Sequence, residues 1–586
     1  MSGVRARDEG RLLSFDIGTT GAKTCLYRVR AGGMELVASS TGEYPLSFLA
    51  NGGVEQDPER WWTALGEGTR RVLHTAGMEA DSIGAISFCC QMQGLVLVDE
   101  AGRALRPAMS YMDQRGTVQR QRLMERGLRI GGMDAARLIP SLIIAGGVSA
   151  SVKDPVWKYH WVRDNEPEVF ARVAKWLDAK EYLAGRCTGR FAMTPDSANA
   201  TFLYDTRPER VGSNGLGSWN ARLCSLFEVD PRHLPEVVAP AEVMGSLLPG
   251  AAADLGLVAG IPVIGGGGDL SLVALGSGAL LPGQTHVYMG TSGWVSAVTD
   301  RRVVDTESFI ASVIGAVPGR YNYISEHETS GKCMEWVRDH LVLDEIGAYL
   351  GARTAAEDPD ARYGSLYELL DEAIDAGAPG SAGVMFTPWL HGNRSPFENP
   401  DARGIFFNIG VDTGKRCLVR AVAEGIALHN RWQLEAMRRK VPARGPLRFV
   451  GGGARSRAIA RILADATGEV VETVESPQNV GALGAAILSA SALGWIDSLD
   501  DASDFVPPAA AYEPDPRSTA IYDERLEVFK SLYTRNKGLF SRLNARPEQQ
   551  CQSGFRARRK KCMTEATRLS GSSSAEAPTK VFSRPR

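Results

Sequence analysis

What this 586-residue chain lacks narrows its class first. Its nine cysteines include no C-x-x-C pair and are odd in number, which argues against a disulfide framework and for reduced thiols in a cytoplasmic protein. No apolar run reaches the ~20 residues a membrane span needs; residues 138–152 come nearest, and Pro140 and serines interrupt them. Met1 to Arg11 is charged and has no apolar core, so a secretory leader is not expected. Net charge is low, at −2, but unevenly spread. Residues 546–586 hold 10 Lys+Arg against 3 Asp+Glu, while the remainder holds 56 against 65, a net of −9. An acidic body argues against nucleic acid as the main partner. The basic segment is poor in apolar residues and is expected to be a disordered extension.

What is present is an ordinary globular composition, 44% hydrophobic and 23% charged. The length calls for more than one core, since single cores seldom exceed ~250–300 residues. Proline and glycine cluster around 237–256, and Gly245-Ser-Leu-Leu-Pro-Gly250 is the best candidate boundary. The lobes are therefore drawn at 1–256 and 257–545, with 546–586 as the tail.

The stretch Ile261–Gly278 stands out. An apolar strand candidate runs into four glycines, delivers one carboxylate at Asp269 and opens a small-residue helix start. Glycines at a strand's end permit close backbone approach, and open α/β sheets hold ligands at such turns. By itself the pattern also fits a packing turn with Asp269 as a helix cap.

Two hairpins flank this stretch. Leu12–Tyr27 reads as strand, Gly-Thr-Thr-Gly turn and strand, with Asp16 at the end of the first strand. Backbone N–H groups and the hydroxyls of Thr19 and Thr20 suit phosphate oxygens, and Lys23 supplies a point positive charge. Thr285–Val298 repeats the format with Gly290-Thr-Ser-Gly293, one such turn in each half, which suggests a duplication.

Between and beyond them, Asp57 and Pro58 predict a helix to Gly77 with Trp61 and Trp62 on its buried face. A strand near Ile83–Phe88 leads into Cys89-Cys-Gln-Met-Gln-Gly94 and a strand at Leu95–Val98. Gln91 and Gln93 there could orient a hydroxyl-rich ligand. Asp113 and Arg115 could serve a site or merely pair at the surface. Lys415–Lys440 predicts a long helix. Arg448–Arg457 predicts a strand, a triple-glycine turn and a helix start suited to a nucleotide, without dinucleotide-type G-x-G-x-x-G spacing. A strand at Glu469–Thr473, the small-residue segment Gly481–Ala486 and an amphipathic helix near Tyr522–Leu543 complete the chain.

In this order the motifs resemble the FGGY family of carbohydrate kinases over about Leu12–Leu543, and within it most closely the xylulokinases. The segments carrying the likeness are Gln91–Gly94 with Leu105–Pro107, Asp113–Arg115, Lys158–Asn165, Lys180–Leu183, Pro388–Leu390 with Arg403–Phe406, and Gly451–Ser456. The resemblance implies two ribonuclease-H-like lobes of the actin/hexokinase type around a central cleft, an α/β fold. It implies ATP-dependent phosphorylation of a sugar or polyol, with Asp269 as general base and Asp16 holding Mg²⁺. ATP would lie against Thr19, Thr20, Lys23, Gly290, Thr291, Gly452, Gly453 and Ser456, and sugar against Met92, Gln93, Asp113 and Asp269. Neither nucleic acid nor membrane is implied as a partner; a homodimer is compatible with it. Three positions depart from the family: Gln93 stands where xylulokinases carry His, Leu270 where they carry Asn, and Asn393 where the Gly-Glu-Arg segment carries Glu. The alternatives carried forward are a kinase for another sugar or polyol, a silent sugar-binding regulator, and an actin- or chaperone-like ATPase.

Overall fold

The computed structural model describes residues 10–30, 33–212, 216–342 and 366–544, so the 546–586 tail lies outside the described residues. The first sheet opens with an antiparallel meander of β1 (Arg11–Ile17), β2 (Gly21–Arg30) and β3 (Gly33–Glu43). Helix α1 (Pro58–Ala76) carries the chain to β4 (Ala85–Cys90), which pairs parallel to β1. The sheet ends with β5 (Val243–Ser246), β6 (Pro262–Ile264) and the short β7 (Gly267–Gly268); β6 and β7 both run parallel to β4. Its order is β5-β6-β4-β1-β2-β3, with β7 beside β4.

After helix α2 (Asp269–Ser277) the pattern repeats. The second sheet comprises β8 (Thr285–Met289), β9 (Gly293–Thr299), β10 (Val304–Asp305), β11 (Ile310–Ile314) and β12 (Tyr321–His327). Helix α3 (Lys415–Arg438) leads to β13 (Leu447–Val450), α4 (Arg457–Thr467) to β14 (Val471–Val474), and α5 (Val480–Ala492) precedes β15 (Pro508–Tyr512) and α6 (Pro516–Asn544). The order is β10-β11-β12-β9-β8-β13-β14-β15, with β13 parallel to β8 and β14 parallel to β13. Both halves thus follow one plan, antiparallel strands whose first member gains parallel neighbours through helical crossovers, although in the second half β12 rather than β10 lies beside β9. This is the two-lobe actin/hexokinase-type architecture.

Local chemistry explains the elements and the places where their ends depart from expectation. Asp57 accepts from the Glu59 amide at 3.0 Å, Pro58 fits the first turn, and Gly77 closes α1 at φ 60°. All six residues of β4 are buried, as in a strand covered on both faces. It runs to Cys90 rather than Phe88 because Asp16 and Ile17 continue the ladder opposite Cys89 and Cys90. Helix α6 begins at Pro516, ahead of the expected Tyr522, because Asp515 accepts from the Ser518 hydroxyl at 2.8 Å and the Arg517 amide at 3.2 Å. The lobe boundary also differs from the expected one. The first sheet continues past 256 through β6 and β7, and α2 is the first element beyond it.

Helices α2 and α5 meet at backbone contact along the seam between the lobes. A Cβ on Gly276 would stand 1.9 Å from the Val480 carbonyl oxygen, and one on Gly484 would stand 2.1 Å from the Leu272 carbonyl oxygen. Gly538 in α6, by contrast, faces open space. Gly484→Ala should therefore cost about 2–3 kcal/mol by overpacking and lower the thermal midpoint by several degrees. Gly538→Ala should stabilise by about 0.5–1 kcal/mol through helix entropy. Calorimetry on both variants checks this; equal melting of Gly484→Ala and the parent would refute the tight seam.

Candidate active site

A cavity of about 1070 Å³ opens between the lobes and is lined by both. Three turns that were singled out for phosphate or nucleotide chemistry reach it. In the first, the Gly18 amide donates to Gly21 O at 2.9 Å, and the Thr20 side chain is exposed to the cleft. A relay fixes this turn from below: Gln91 Nε2 donates to Gln56 Oε1 at 2.7 Å, and Gln56 Nε2 donates to Thr19 O at 2.7 Å. The second turn joins β8 to β9. The Gly331 amide donates to Gly290 O at 2.8 Å, and the Ser330 and Lys332 amides each donate to Thr291 O at 3.1 Å. The third follows β13. Gly451 sits at φ 92°, and a Cβ there would lie 2.7 Å from Met289 O, so glycine is required. Gly452 has nothing within 4 Å of a built Cβ and offers bare backbone to the cavity. Ser456 caps α4, accepting from the Ile459 amide at 3.0 Å, and its hydroxyl donates to Asp371.

Asp269 opens α2 at the end of β7 and lines the same cavity. Burial pushes its carboxyl up to about 8; the negative charge of Asp16 adds to the rise and the Leu270 amide, donating at 2.8 Å, opposes it. Lys23 Nζ lies 3.0 Å from Asp16 Oδ2 and donates to Gln478 O of the other lobe at 2.8 Å. Burial pulls this ammonium down, but Asp16, together with Tyr288 and other neighbours, holds Lys23 above its ordinary range. Below the two carboxylates lies Cys89, whose thiol burial raises well above its usual value, with Asp16 and Asp269 reinforcing the shift.

The sugar-side candidates Met92 and Gln93 also line the cavity. Met92 packs on the turn before Asp269, since a Cβ on Gly268 would fall 2.2 Å from its sulfur. Gln93 takes the left-handed backbone conformation, φ 65°, rare outside glycine. Lys158 holds it there, donating from a fully buried ammonium to Gln93 O at 2.7 Å and to Lys153 O at 2.5 Å. Leu270 presents its apolar side chain to the cavity. Asn393 does not line it; its amide nitrogen donates to Ser395 O at 3.0 Å and Phe397 O at 2.9 Å, pinning the loop that brings Arg394 to the cleft.

Asp113 is the exception among the expected site residues. It is fully buried behind the cleft wall, and its oxygens accept from the Val54 amide at 2.9 Å and from Arg115 Nη2 at 2.7 Å. The expected ion pair is present, but inside the protein rather than on its surface. Arg115 is further held by Glu55 at 2.6 Å and by the Trp161 ring, 4.3 Å from its guanidinium. No oxygen of Asp113 is left to face a sugar.

Sequence reasoning did not find Asp196. This carboxylate is buried at 1% exposure and accepts from the Gly268 amide at 2.7 Å, from the Ser271 hydroxyl, and from Thr194 Oγ1 at 2.5 Å. Lys180 Nζ donates to Thr194 Oγ1 at 2.9 Å from behind. The clamp fixes the residues on both sides of Asp269. A Pro-Asp pair opening a short helix was the only local signal, and it reads as a cap. Asp196→Ala should release the turn. Amide exchange across 267–271 should quicken by ~10–100-fold, as expected for losing buried bonds to a charged acceptor, while the β8–β9 hairpin keeps its protection. Unchanged exchange at 267–271 would remove Asp196 from this role.

Comparison with known proteins agrees with this geometry. The model of the FGGY carbohydrate kinase N-terminal domain matches residues 11–276, and that of the C-terminal domain matches 286–493. Xylulose kinase of Escherichia coli is 29% identical over 523 residues, covering 89% of this chain and 98% of the relative. Gluconokinase of Bacillus subtilis is 26% identical over 527 residues, covering 89% and 95%. In three dimensions, gluconate kinase of Lactobacillus acidophilus shares the fold with a TM-score of 0.76 at 22% identity, covering 92% of this chain and all of that one. The chain belongs to the FGGY family of carbohydrate kinases, and it is a sugar kinase that uses ATP with Mg²⁺.

Proposed function

We propose that this kinase phosphorylates a ketopentose of the D-xylulose kind at its 5-hydroxyl, with Asp269 as the general base. One observation carries the reading: the Asp269 carboxylate opens α2 at the cleft, among three glycine turns that line the same cavity, and burial pushes it up to about 8. A sugar hydroxyl loses its proton only as it attacks phosphorus, so it needs an acceptor near neutrality, a role typically worth ~10²–10⁴-fold. The relatives named xylulose kinase over nearly the whole chain support the choice of sugar.

In this mechanism the acceptor lies against Met92 and Gln93 with its hydroxyl directed at Asp269. The γ-phosphoryl group is cradled by the Thr19–Thr20 turn and the Gly290–Thr291 turn, and Lys23 offsets its charge. The nucleotide rests on Gly452 and Gly453, with Ser456 anchoring the helix behind them. The donor set fits Mg²⁺, which binds through one or two carboxylates together with substrate phosphates. Asp16 faces the cleft at 15% side-chain exposure and would supply that carboxylate. When bound, Mg²⁺ neutralises charge on the transferring phosphates. Closing the lobes excludes water and limits wasteful hydrolysis. Among the described residues no helix is long and apolar enough to cross a membrane, and a cytoplasmic enzyme with access to ATP is the reading we adopt.

Asp269→Ala should lower kcat by at least ~10²-fold while nucleotide affinity stays within a factor of two or so. A coupled ADP-release assay beside calorimetric ATP titration reads both, and near-normal turnover would dismiss the base. Leu270 favours a second reading, an acceptor lacking one hydroxyl contact of D-xylulose, such as a different ketose or a polyol. Gln93→His combined with Leu270→Asn should raise kcat/KM for D-xylulose several-fold, since a missing polar partner weighs heavily on specificity. No rise would show that these positions do not set sugar choice.

A further inference from the structure

Beside Gln93, on the acceptor side of the cleft, four charged side chains from both lobes lock one another. Lys153 Nζ lies 3.2 Å from Glu328 Oε1 across the lobes. Arg394 is bonded through Nη1 to Glu326, and its Nε stands 3.6 Å from Glu328 Oε1. Lys158 fixes the location of this cluster, because its one ammonium bonds both Gln93 O and Lys153 O. The four side chains are 17–33% exposed, so their pairings are only partly screened by solvent. Burial works against Glu328, yet Lys153 and Arg394 hold its carboxyl below the usual range. Glu326 above all keeps the Arg394 guanidinium charged.

Besides Arg394, the Lys and Arg side chains lining the cavity, among the described residues, are Lys23 and Arg455, and burial keeps the His327 imidazole there uncharged at neutral pH. Lys23 is engaged by Asp16 and Gln478 O, and Arg455 belongs to the turn assigned to nucleotide. An acceptor carrying a carboxylate needs a free cation, best a guanidinium presenting two parallel donors. Among the described residues the acceptor wall offers none: its guanidinium already serves two glutamates, and Asp269 and Glu326 face the same space.

We infer that Glu326 and Glu328 are specificity residues that occupy Arg394 and Lys153, so that the cleft takes uncharged sugars or polyols and rejects sugar acids. The inference rests on Gln93 marking the acceptor side, as in the preceding section. It assigns the two glutamates a negative role, in which like charges turn away a competing acceptor.

The test uses the full chain in the ADP-release assay, with D-xylulose, D-ribulose and xylitol compared with D-xylonate and D-gluconate. The wild type should show kcat/KM for the acids at least ~100-fold below the best neutral acceptor. Glu328→Gln should narrow that ratio by ~10-fold, the effect of about 1.4 kcal/mol of relieved repulsion. Comparable use of an acid by the wild type, or an unchanged ratio in folded Glu328→Gln, would overturn the inference. Should Glu328→Gln fail to fold, Glu326→Gln reads the same ratio, because its carboxylate also holds Arg394. If no acceptor is phosphorylated, the ketopentose reading fails, and calorimetric titration with D-gluconate decides this one separately. Gluconate binding that appears only in the Gln variants supports it, whereas binding by the wild type, or by neither protein, overturns it.

Discussion

The backbone contact between α2 and α5 is the constraint on which the cleft depends. Both helices begin at the ends of parallel strands, one from each sheet, and glycine at 276 and 484 lets them touch without intervening side chains. Asp269 is the first residue of α2, while Gln478, which receives Lys23, lies just before α5. The distance between the helices therefore sets the distance between carboxylate, ammonium and the two Gly-Thr turns. A bulkier seam would move all of them together. This is why small residues concentrate along the seam.

The repeated topology supports divided chemistry. Asp16 and Tyr288 occupy like positions, each two residues before the glycine of its turn. One half places a carboxylate there; the other places a ring stacked on Trp294 with centroids 3.9 Å apart. On the proposed assignment the first half would supply the charged groups, while both halves would offer glycine-turn backbone to the phosphates. The glutamate–arginine–lysine cluster joins the halves again. The Lys153–Glu328 ion pair couples the position of that cavity wall to how the lobes sit.

Much of this was legible in the sequence, for a physical reason. Hairpin turns, glycine-rich strand ends and capped helices are local devices, and their residue types are dictated by backbone geometry within a few positions. The two Gly-Thr turns, Asp269 and the triple-glycine turn could be found that way. Asp196, Lys158 and the Glu326–Glu328–Arg394 cluster could not, because their partners lie 65 to 72 residues away or more and nothing local distinguishes a buried charge from a solvated one. Asp113 failed in the opposite sense. Its neighbour Arg115 was visible, but burial and the Val54 amide, which make it a strut instead of a ligand, come only with the fold.

Cys89 carries a consequence beyond its packing. Its sulfur would lie 2.8 Å from a Cβ on Gly481, so it is wedged where the first sheet meets α5, directly under the two carboxylates. A thiol held protonated is a poor nucleophile and reacts slowly with peroxides or alkylating reagents. The centre of the catalytic floor is thus chemically quiet, although a sulfur atom lies within it. Were that sulfur oxidised to an acid, the new oxygens would have to displace a backbone and sit beside two existing negative charges. Suppressed reactivity and tight fit protect the same atom.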